Sequence, residues 1–255
     1  MLVTIDIGNT NVVVGIYEGT QLKAHWRLSS QTGRTSDECW IMLSAMLRAS
    51  GIQPDRLTGA AISSVVPNLT PVFTRLLEQH LNLKPVEVSS ELPLKLKILY
   101  DDPRSVGADR ICNAVAGYHF FGGPLVVLDF GTATTFDVVS KNNEYLGGII
   151  APGIELTASV LHQRAARLPK VELKFPPSVI GTTTETSIQS GLMFGTVELI
   201  NGLIDRIERQ LGNPVRTIAT GGLATVVAPY THKIERVEPF LTLDGLRLIY
   251  EQVSS

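Results

Sequence analysis

Apolar and polar residues alternate with a period of two at the start of the chain. Two β-branched runs within residues 2–17 flank a turn at residues 8–11, and a third run follows at residues 21–28. A two-residue period bounded by Gly and Asn is typical of half-buried strands joined by tight turns. The pattern therefore predicts three consecutive strands.

Two helices and a further strand are predicted next. Residues 35–38, Thr-Ser-Asp-Glu, form a capping box, and Gly51 ends the amphipathic segment that follows, which indicates a helix. A small-residue apolar run at residues 59–66 predicts a strand. A second helix is expected to open with Thr70 as its N-cap and Pro71 at its first position.

The second half of the chain repeats this pattern. Residues 125–132 reproduce the apolar run and the Asp-x-Gly of residues 2–9, so that Asp129 lies 123 residues after Asp6 (129 − 6). Two strands, a long helix and another strand follow at residues 134–140, 145–150, 185–211 and 215–219. A period this long points to two copies of one α/β domain, because solenoid repeats are much shorter.

Composition places the chain among globular proteins that act on small molecules. Of its 255 residues 44% are hydrophobic, and the net charge is −2 with a pI near 6.2. This charge balance gives no excess of positive charge that would bind nucleic acid or an anionic membrane. No apolar run approaches the ~18 residues of a membrane-spanning helix. Cys39 and Cys112 fall in predicted helices and are expected to be buried thiols in a reducing compartment. We expect a cytoplasmic protein without nucleic-acid or membrane partners.

Several common nucleotide-binding and catalytic motifs are absent. No glycine precedes a lysine, and no two glycines lie two positions apart, so neither a Walker A loop nor G-x-G-x-x-G occurs. The serine-hydrolase elbow is missing, and the five histidines stand singly, without metal-ligand spacing. Any ATP binding must use another arrangement of residues.

The repeated Asp-x-Gly turn offers such an arrangement. An Asp at a strand end, followed by a tight glycine turn, points backbone N–H groups and hydroxyls at a phosphate, and its carboxylate can hold Mg²⁺ through water. The alternative is a plain hairpin turn, where Gly and Asn are favoured anyway. Two copies of the turn, each after a strand that is predicted to be buried, favour phosphate binding over a plain hairpin turn. With Asp6 and Asp129 near a polyphosphate and no P-loop lysine, cations must neutralise the site.

A second turn could also face a nucleotide. Residues 220–222, Thr-Gly-Gly, follow an apolar strand at the start of a predicted helix. Glycines there would let a nucleotide approach the helix N-terminus closely, and an ordinary β–α turn is the alternative. Residues 63–67 are the expected counterpart in the first half.

Three glycines interrupt the long predicted helix of the second half. Glycine costs roughly 1 kcal/mol in a helix interior relative to alanine, so close helix packing is the expected reason for them. The packing could lie within one chain or between two subunits. These glycines are Gly191, Gly195 and Gly202.

Residues 100–110 are the most informative segment. Ser105 is a plausible N-cap, which would place Gly107, Asp109 and Arg110 in the first turns of a helix. The Gly-Ala step would allow a ligand to approach, and an adjacent base and cation suit an acidic hydroxy compound. The alternatives are that Asp109 is a helix-dipole partner and that Arg110 is a solvated charge.

Four segments, in this order, resemble those of type III pantothenate kinases. They are D-I-G-N-T at residues 6–10, G-A-D-R at 107–110, D-F-G-T-A-T-T at 129–135 and G-G-I-I-A-P-G at 147–153. Their order and the chain length match as well, so the resemblance covers nearly the whole chain. The Asp-x-Gly turns are shared with acetate kinase, sugar kinases, actin and chaperone ATPases, whereas G-A-D-R is much more specific.

The resemblance implies an α/β fold of two duplicated ribonuclease-H-like domains with a nucleotide cleft between them. We expect the domains to span residues 1–100 and 101–255. ATP with Mg²⁺ would be the phosphoryl donor, and K⁺ or NH₄⁺ would be required as a monovalent cation. The acceptor would be the primary hydroxyl of pantothenate, giving 4′-phosphopantothenate in the first step of coenzyme A biosynthesis. The resemblance further implies a homodimer.

The resemblance also assigns roles residue by residue. Contacts to ATP would come from Asp6, Ile7, Gly8, Asn9, Thr10, Asn11, Val12, Val13 and Thr132. Contacts to pantothenate would come from Tyr100, Gly107, Ala108, Asp109, Arg110 and Thr184. Asp109 would also accept the hydroxyl proton, and Asp129 would bind the monovalent cation. One departure is visible, because Asp102 stands where the family often has Asn, at a position without an assigned role.

Two functional alternatives stay open at this point. One is a kinase of the same superfamily that acts on another small hydroxyl compound. The other is a non-catalytic regulatory homologue similar to the Bvg accessory factors. The acids of the expected site are all present, which favours an enzyme.

Overall fold

The computed structural model describes residues 1–254, which form two compact units. The first unit comprises Met1–Ala116 together with the chain from Phe240 onward, and the second comprises Gly117–Pro239. This division differs from the expected one at residue 100. Residues 101–116 and the C-terminal helix belong to the first unit. Sequence periodicity carries no signal for such a return of the chain to an earlier unit.

A five-stranded mixed sheet forms the centre of the first unit, in the order β3-β2-β1-β4-β5. Its strands are β1 (Leu2–Ile7), β2 (Asn11–Glu18), β3 (Gln21–Ser29), β4 (Gly59–Ser64) and β5 (Val86–Glu87), and a short β6 (Lys97–Ile98) follows in the chain. Strand β1 pairs antiparallel with β2 and parallel with β4. The three strands predicted from the first 28 residues are confirmed.

Three helices cover this sheet, namely α1 (Ser36–Ala49), α2 (Thr70–Leu81) and α7 (Leu241–Val253). A fourth, α3 (Ala108–Phe121), crosses the division between the units. Helices α1 and α2 pack against each other, and α7 packs against β1 and β4. Cys112 on α3 is buried against the backbone of α7 at Gly245, where a Cβ atom would overlap the Cys112 carbonyl.

The predicted helix starts are partly confirmed. Thr35 and Glu38 form both hydrogen bonds of the capping box at the start of α1. Thr70 is not the N-cap of α2, since Leu69 holds that position and Thr70 is the first helical residue. The Thr70 hydroxyl instead donates to Ser64 Oγ at 2.7 Å, and this bond ties α2 to the end of β4.

The second unit repeats the sheet of the first. Within this unit the strand order is β11-β10-β7-β8-β9. The strands are β7 (Leu125–Phe130), β8 (Ala133–Val139), β9 (Glu144–Pro152), β10 (Arg216–Gly221) and β11 (Arg236–Val237). Strand β7 pairs antiparallel with β8 and parallel with β10, as β1 does with β2 and β4. The duplication predicted from the sequence is therefore present in the order and direction of the strands.

Three helices belong to the second unit. They are α4 (Ile154–Arg164), α5 (Thr184–Leu211) and α6 (Ala224–Val227). The long helix α5 ends at Gly212 in the left-handed conformation, as expected. Helix α4 was not predicted, because only its Ile154 is buried and its other apolar residues give no clear periodicity.

Both cysteines are buried thiols and do not form a disulfide. No helix in residues 1–254 combines the length and hydrophobicity that crossing a bilayer requires.

Candidate active site

The first Asp-x-Gly turn is closed by hydrogen bonds from two directions. Gly8 N–H donates to the Asn11 carbonyl at 2.9 Å within the turn. Ser30, which follows β3, donates from its backbone N–H to the Thr10 carbonyl at 2.9 Å and from its Oγ to the Gly8 carbonyl at 2.6 Å. The turn is thus fixed by the next strand of the sheet as well as by itself.

The side chains of this turn divide into a buried and an exposed group. Ile7 and Val12 are 0% and 1% exposed and belong to the hydrophobic core, so only their backbone could contact a ligand. Asn9 and Thr10 at the tip are exposed. Of the predicted phosphate-binding stretch, the tip residues therefore supply the accessible polar side chains.

Asp6 lies at the end of β1 with a buried hydroxyl beside it. Asp6 pairs in register with Ser63 on the parallel strand β4, and Ser63 Oγ donates to Asp6 Oδ1 at 2.9 Å. Ser63 is 0% exposed, and Asp6 is half-buried. Ser63 was not among the assigned site residues. The only sequence signal for Ser63 was its place in residues 63–67, the expected counterpart of residues 220–222 in the second half. The strand register supports that correspondence, because Ser63 pairs with Asp6 as Thr220 pairs with Asp129.

The second Asp-x-Gly turn has the same closure but is one residue shorter. Phe130 pairs with Thr134 across the second turn, whereas Ile7 pairs with Val12 across the first. Gly131 N–H donates to the Ala133 carbonyl at 3.1 Å, and Gly153 N–H donates to the Thr132 carbonyl at 3.2 Å.

Gly153 thus occupies the place that Ser30 has at the first turn. A Cβ atom at Gly153 would overlap the Gly131 and Thr132 carbonyls, so glycine is needed for this close approach. Thr132 itself is exposed at the tip of the turn.

Gly221 ends β10 directly beside Asp129. Strand β10 pairs Thr220 with Asp129 and Gly221 with Phe130. Gly221 has φ +91°, and a Cβ atom there would lie 2.6 Å from Asp129 Oδ1. The helix that follows, α6, has only four residues. The helix predicted after residues 220–222 is therefore present but short, and Gly221 serves the close packing of β10 against the Asp129 carboxylate.

The start of α3 differs from the prediction. Ser105 is not the N-cap of this helix. It lies in a short 3₁₀ turn (Pro103–Ser105), where its Oγ donates to the Asp102 carbonyl at 2.7 Å and Asp102 Oδ1 accepts from Arg104 N–H at 3.2 Å. Proline fixes the backbone for this tight turn, and Asp102 caps it, so α3 begins later, at Ala108.

Asp109 lies in the first turn of α3 with one oxygen held in place. Asp109 Oδ1 accepts from Arg110 N–H at 2.8 Å. A Cβ atom at Gly107 would lie 2.5 Å from Oδ1, so glycine at position 107 makes room for this carboxylate. Burial raises the pKa of the Asp109 carboxyl, and the Arg110 N–H and guanidinium oppose that effect. Arg110 itself is only 7% exposed, so it is not a solvated surface charge.

Each unit gathers part of the predicted site. In the first unit, Asp6 and Asp109 both lie close enough to the Cys112 thiol to act on it electrostatically. In the second, Asp129, Thr132 and Gly221 stand around the end of β7.

Tyr100 and Thr184 lie on other segments of their units. Tyr100 is 37% exposed in the loop before α3. Thr184 is the exposed first residue of α5, behind the N-cap Thr183, and within residues 117–239 no hydrogen bond joins its side chain to the Asp129 turn.

The fold places the chain in a class of duplicated ribonuclease-H-like α/β proteins. A ROK hexokinase from Thermus thermophilus shares the fold with a TM-score of 0.51 at 13% identity, covering 99% of both chains. A Campylobacter jejuni protein assigned to the Baf family of transcriptional activators shares it with a TM-score of 0.61 at 21% identity, covering 98% of both. Both likenesses concern the fold alone.

Sequence comparison defines the family. The profile of the type III pantothenate kinase family matches residues 2–206. The type III pantothenate kinase of Moorella thermoacetica is 44% identical over 252 residues, or 99% of both chains. That of Roseiflexus castenholzii is 48% identical over 251 residues, or 98% of both. The chain belongs to the type III pantothenate kinase family.

We predict that Gly221→Ala destabilises the protein by about 1–3 kcal/mol. The new Cβ would overlap the Asp129 carboxylate. Alanine would also have to adopt a positive φ, which is strained for an L-residue. Chemical denaturation monitored by circular dichroism measures the loss. Gly222→Ala is the matched control, because a Cβ at Gly222 has nothing within 4 Å. Equal stability of the two variants would contradict the role given to Gly221.

Proposed function

We propose that this chain transfers the γ-phosphoryl group of ATP to the primary hydroxyl of pantothenate, forming 4′-phosphopantothenate in the first step of coenzyme A biosynthesis. Family membership supports this reaction. The observation that carries it is Asp109, a half-buried carboxyl in the first turn of α3 whose Oδ1 is held by the Arg110 N–H.

The two Asp-x-Gly turns are the proposed phosphate-binding elements. The exposed tips, with Asn9 and Thr10 in the first turn and Thr132 in the second, would supply amide and hydroxyl donors to phosphate oxygens. Ile7 and Val12 would take part through backbone groups, since their side chains are buried. No phosphate-binding lysine of the P-loop kind is available, so bound cations would balance the charge of the triphosphate.

The acidic residues fit a metal that is shared with the nucleotide. No three His, Cys, Asp or Glu side chains in residues 1–254 gather as a protein-only metal cage. Mg²⁺ commonly keeps several waters and binds one or two carboxylates together with substrate phosphates, and Asp6 suits that mode. Asp129, beside the backbone of Gly221, is the proposed ligand of the monovalent cation K⁺ or NH₄⁺. These cations would neutralise charge on the phosphate oxygens.

The start of α3 is the proposed pantothenate site. Asp109 Oδ2 would orient the hydroxyl and accept its proton, and a carboxyl whose pKa is raised by burial is a stronger base than an ordinary Asp. Arg110 would pair with the pantothenate carboxylate or an amide oxygen. Ala108 is buried and would contribute its backbone, while Tyr100 and Thr184, both exposed, would complete the pocket.

Catalysis in this scheme comes mainly from positioning. Phosphoryl transfer passes through a loose transition state with charge spread over the equatorial oxygens, so alignment and charge neutralisation outweigh covalent chemistry. The rigid turns fix the donor, and the helix start fixes the base. An acceptor screen that includes pantothenate and sugars tests the assignment, since turnover with a sugar alone would identify another kinase of this fold.

We further propose that the protein is a homodimer formed through α5. Its three interior glycines lie on an exposed face, and a Cβ atom on any of them would have nothing within 4 Å. Packing inside the second unit therefore does not explain these glycines. Leu156 and Val160 on α4, which packs against α5, are also exposed, at 44% and 46%. A small-residue helix face with apolar neighbours suits close contact with a second copy.

We predict that Asp109→Asn lowers turnover by ~10²-fold or more, because it removes the charge and the basic lone pairs that receive the hydroxyl proton. ATP affinity should change little. If Asp109 is only a helix-dipole partner, the variant should lose roughly 0.3–1 kcal/mol of stability and keep near-normal turnover. Steady-state kinetics and thermal melting of the variant separate the two. Asp102→Asn is the control, and an inactive Asp102→Asn beside a normal Asp109→Asn would mean that the wrong carboxylate is assigned.

We predict that turnover requires a monovalent cation beside Mg²⁺. Replacing K⁺ with a bulky organic cation should abolish ATP consumption, since the small cation is needed to offset Asp129 and the triphosphate. Asp129→Ala should lose the response to K⁺ while remaining folded. Full activity in a buffer free of K⁺, NH₄⁺ and related ions would refute the requirement.

We predict a particle of about twice the 27.7 kDa chain mass in light scattering at micromolar concentration. Gly195→Arg should shift it toward the monomer, because the side chain would enter the contact. Gly33→Arg is the control, since Gly33 also has open space around its Cβ direction but lies in a turn of the first unit. A wild-type monomer would exclude the proposed contact.

A further inference from the structure

Ser63 lies beside Asp6, one of the acids that the proposed reaction uses. Its Oγ donates to Asp6 Oδ1 at 2.9 Å. Ser63 is 0% exposed and lies on β4, in register with Asp6 on the parallel strand β1. Ser63 therefore ties the Asp6 carboxylate to the neighbouring strand.

The Ser63 hydroxyl gives its proton to the carboxylate. A serine hydroxyl has one proton and two acceptor lone pairs. That proton is donated to Asp6 Oδ1, so the carboxylate receives a directed donor from the neighbouring strand.

The repeat provides a second observation. Asp129 in the second unit pairs in register with Thr220, just as Asp6 pairs with Ser63. Thr220 is 2% exposed, so both copies place a buried hydroxyl residue beside the acid that ends the central strand. A residue needed only for packing on a small-residue strand could be alanine, as at Ala60 and Ala61 of β4.

We infer that Ser63 is a positioning residue for the nucleotide: its hydroxyl holds the Asp6 carboxylate in the rotamer that receives Mg²⁺·ATP. The inference rests on the proposed function. Without the hydroxyl, the Asp6 carboxylate would be held less firmly, and the cost of ordering it when the nucleotide binds would weaken binding.

Ser63→Ala tests the inference by calorimetric titration with Mg²⁺ and a non-hydrolysable ATP analogue, in the absence of pantothenate. We expect the affinity to fall about ten-fold, the size of effect that a hydrogen bond to a charged group supports. The apparent Mg²⁺ affinity should fall with it, while the KM for pantothenate should stay at the wild-type value. An analogue affinity equal to that of the wild type would overturn the inference.

Two further variants separate positioning from packing. Thr4→Ala removes another fully buried hydroxyl from the same sheet, one that donates to the Gly15 carbonyl at 3.2 Å, and it should leave the analogue affinity unchanged. Ser63→Thr keeps the hydroxyl and should bind the analogue like the wild type. A folded Ser63→Thr with the ten-fold loss would overturn the inference, even if Ser63→Ala failed to fold.

A double-mutant cycle gives the sharpest measurement. In an Asp6→Asn background Ser63→Ala should cost no further affinity, because the group that Ser63 positions has lost its charge. A full additional loss there would show that Ser63 acts by another route, against the inference. Absence of pantothenate turnover in the wild type would overturn the proposed function alone, since the affinity comparison uses no pantothenate.

Discussion

A carboxylate at the end of each central strand is the constraint on which the rest of the structure depends. Asp6 and Asp129 are both half-buried at the point where a central strand meets a parallel neighbour. A carboxylate in that position loses hydration and needs donors or cations to compensate. Ser63 donates a hydrogen bond to Asp6, and Gly221 at the end of β10 packs directly against Asp129. In the proposed reaction, the cations bound at these acids would contribute to that compensation.

The two Asp-x-Gly turns differ in length and in the residue that closes them. The first turn has one more residue than the second and is closed by Ser30 through its backbone and its hydroxyl. The second is closed by Gly153, at a distance that excludes any side chain. The shorter turn carries the Asp129 and Thr132 pair, and the longer turn carries two exposed polar side chains at its tip. The two copies thus share their strand topology and differ in the residues at the tips of their turns.

The start of α3 reconciles the two interpretations of Asp109. The carboxylate does act as a partner of the helix start, because Oδ1 accepts the Arg110 N–H. That bond uses one of the two carboxylate oxygens, so a structural role and a role as base are compatible. Gly107 is part of the same arrangement, since its lack of a side chain lets the carboxylate fold back.

The sequence by itself determined the duplicated strands, the acids at their ends and the family. Period-two patterning fixes which face of a strand is buried, and glycine turns mark where the strands reverse, so these features are local. Only the tertiary structure decided that the chain returns to the first unit, that Ser63 lies against Asp6, and that α3 starts after a 3₁₀ turn at residues 103–105. Each of these depends on contacts between residues far apart in the chain, or on one side-chain cap prevailing over another. The energies that separate such alternatives are small, and they are set by packing that no local pattern records.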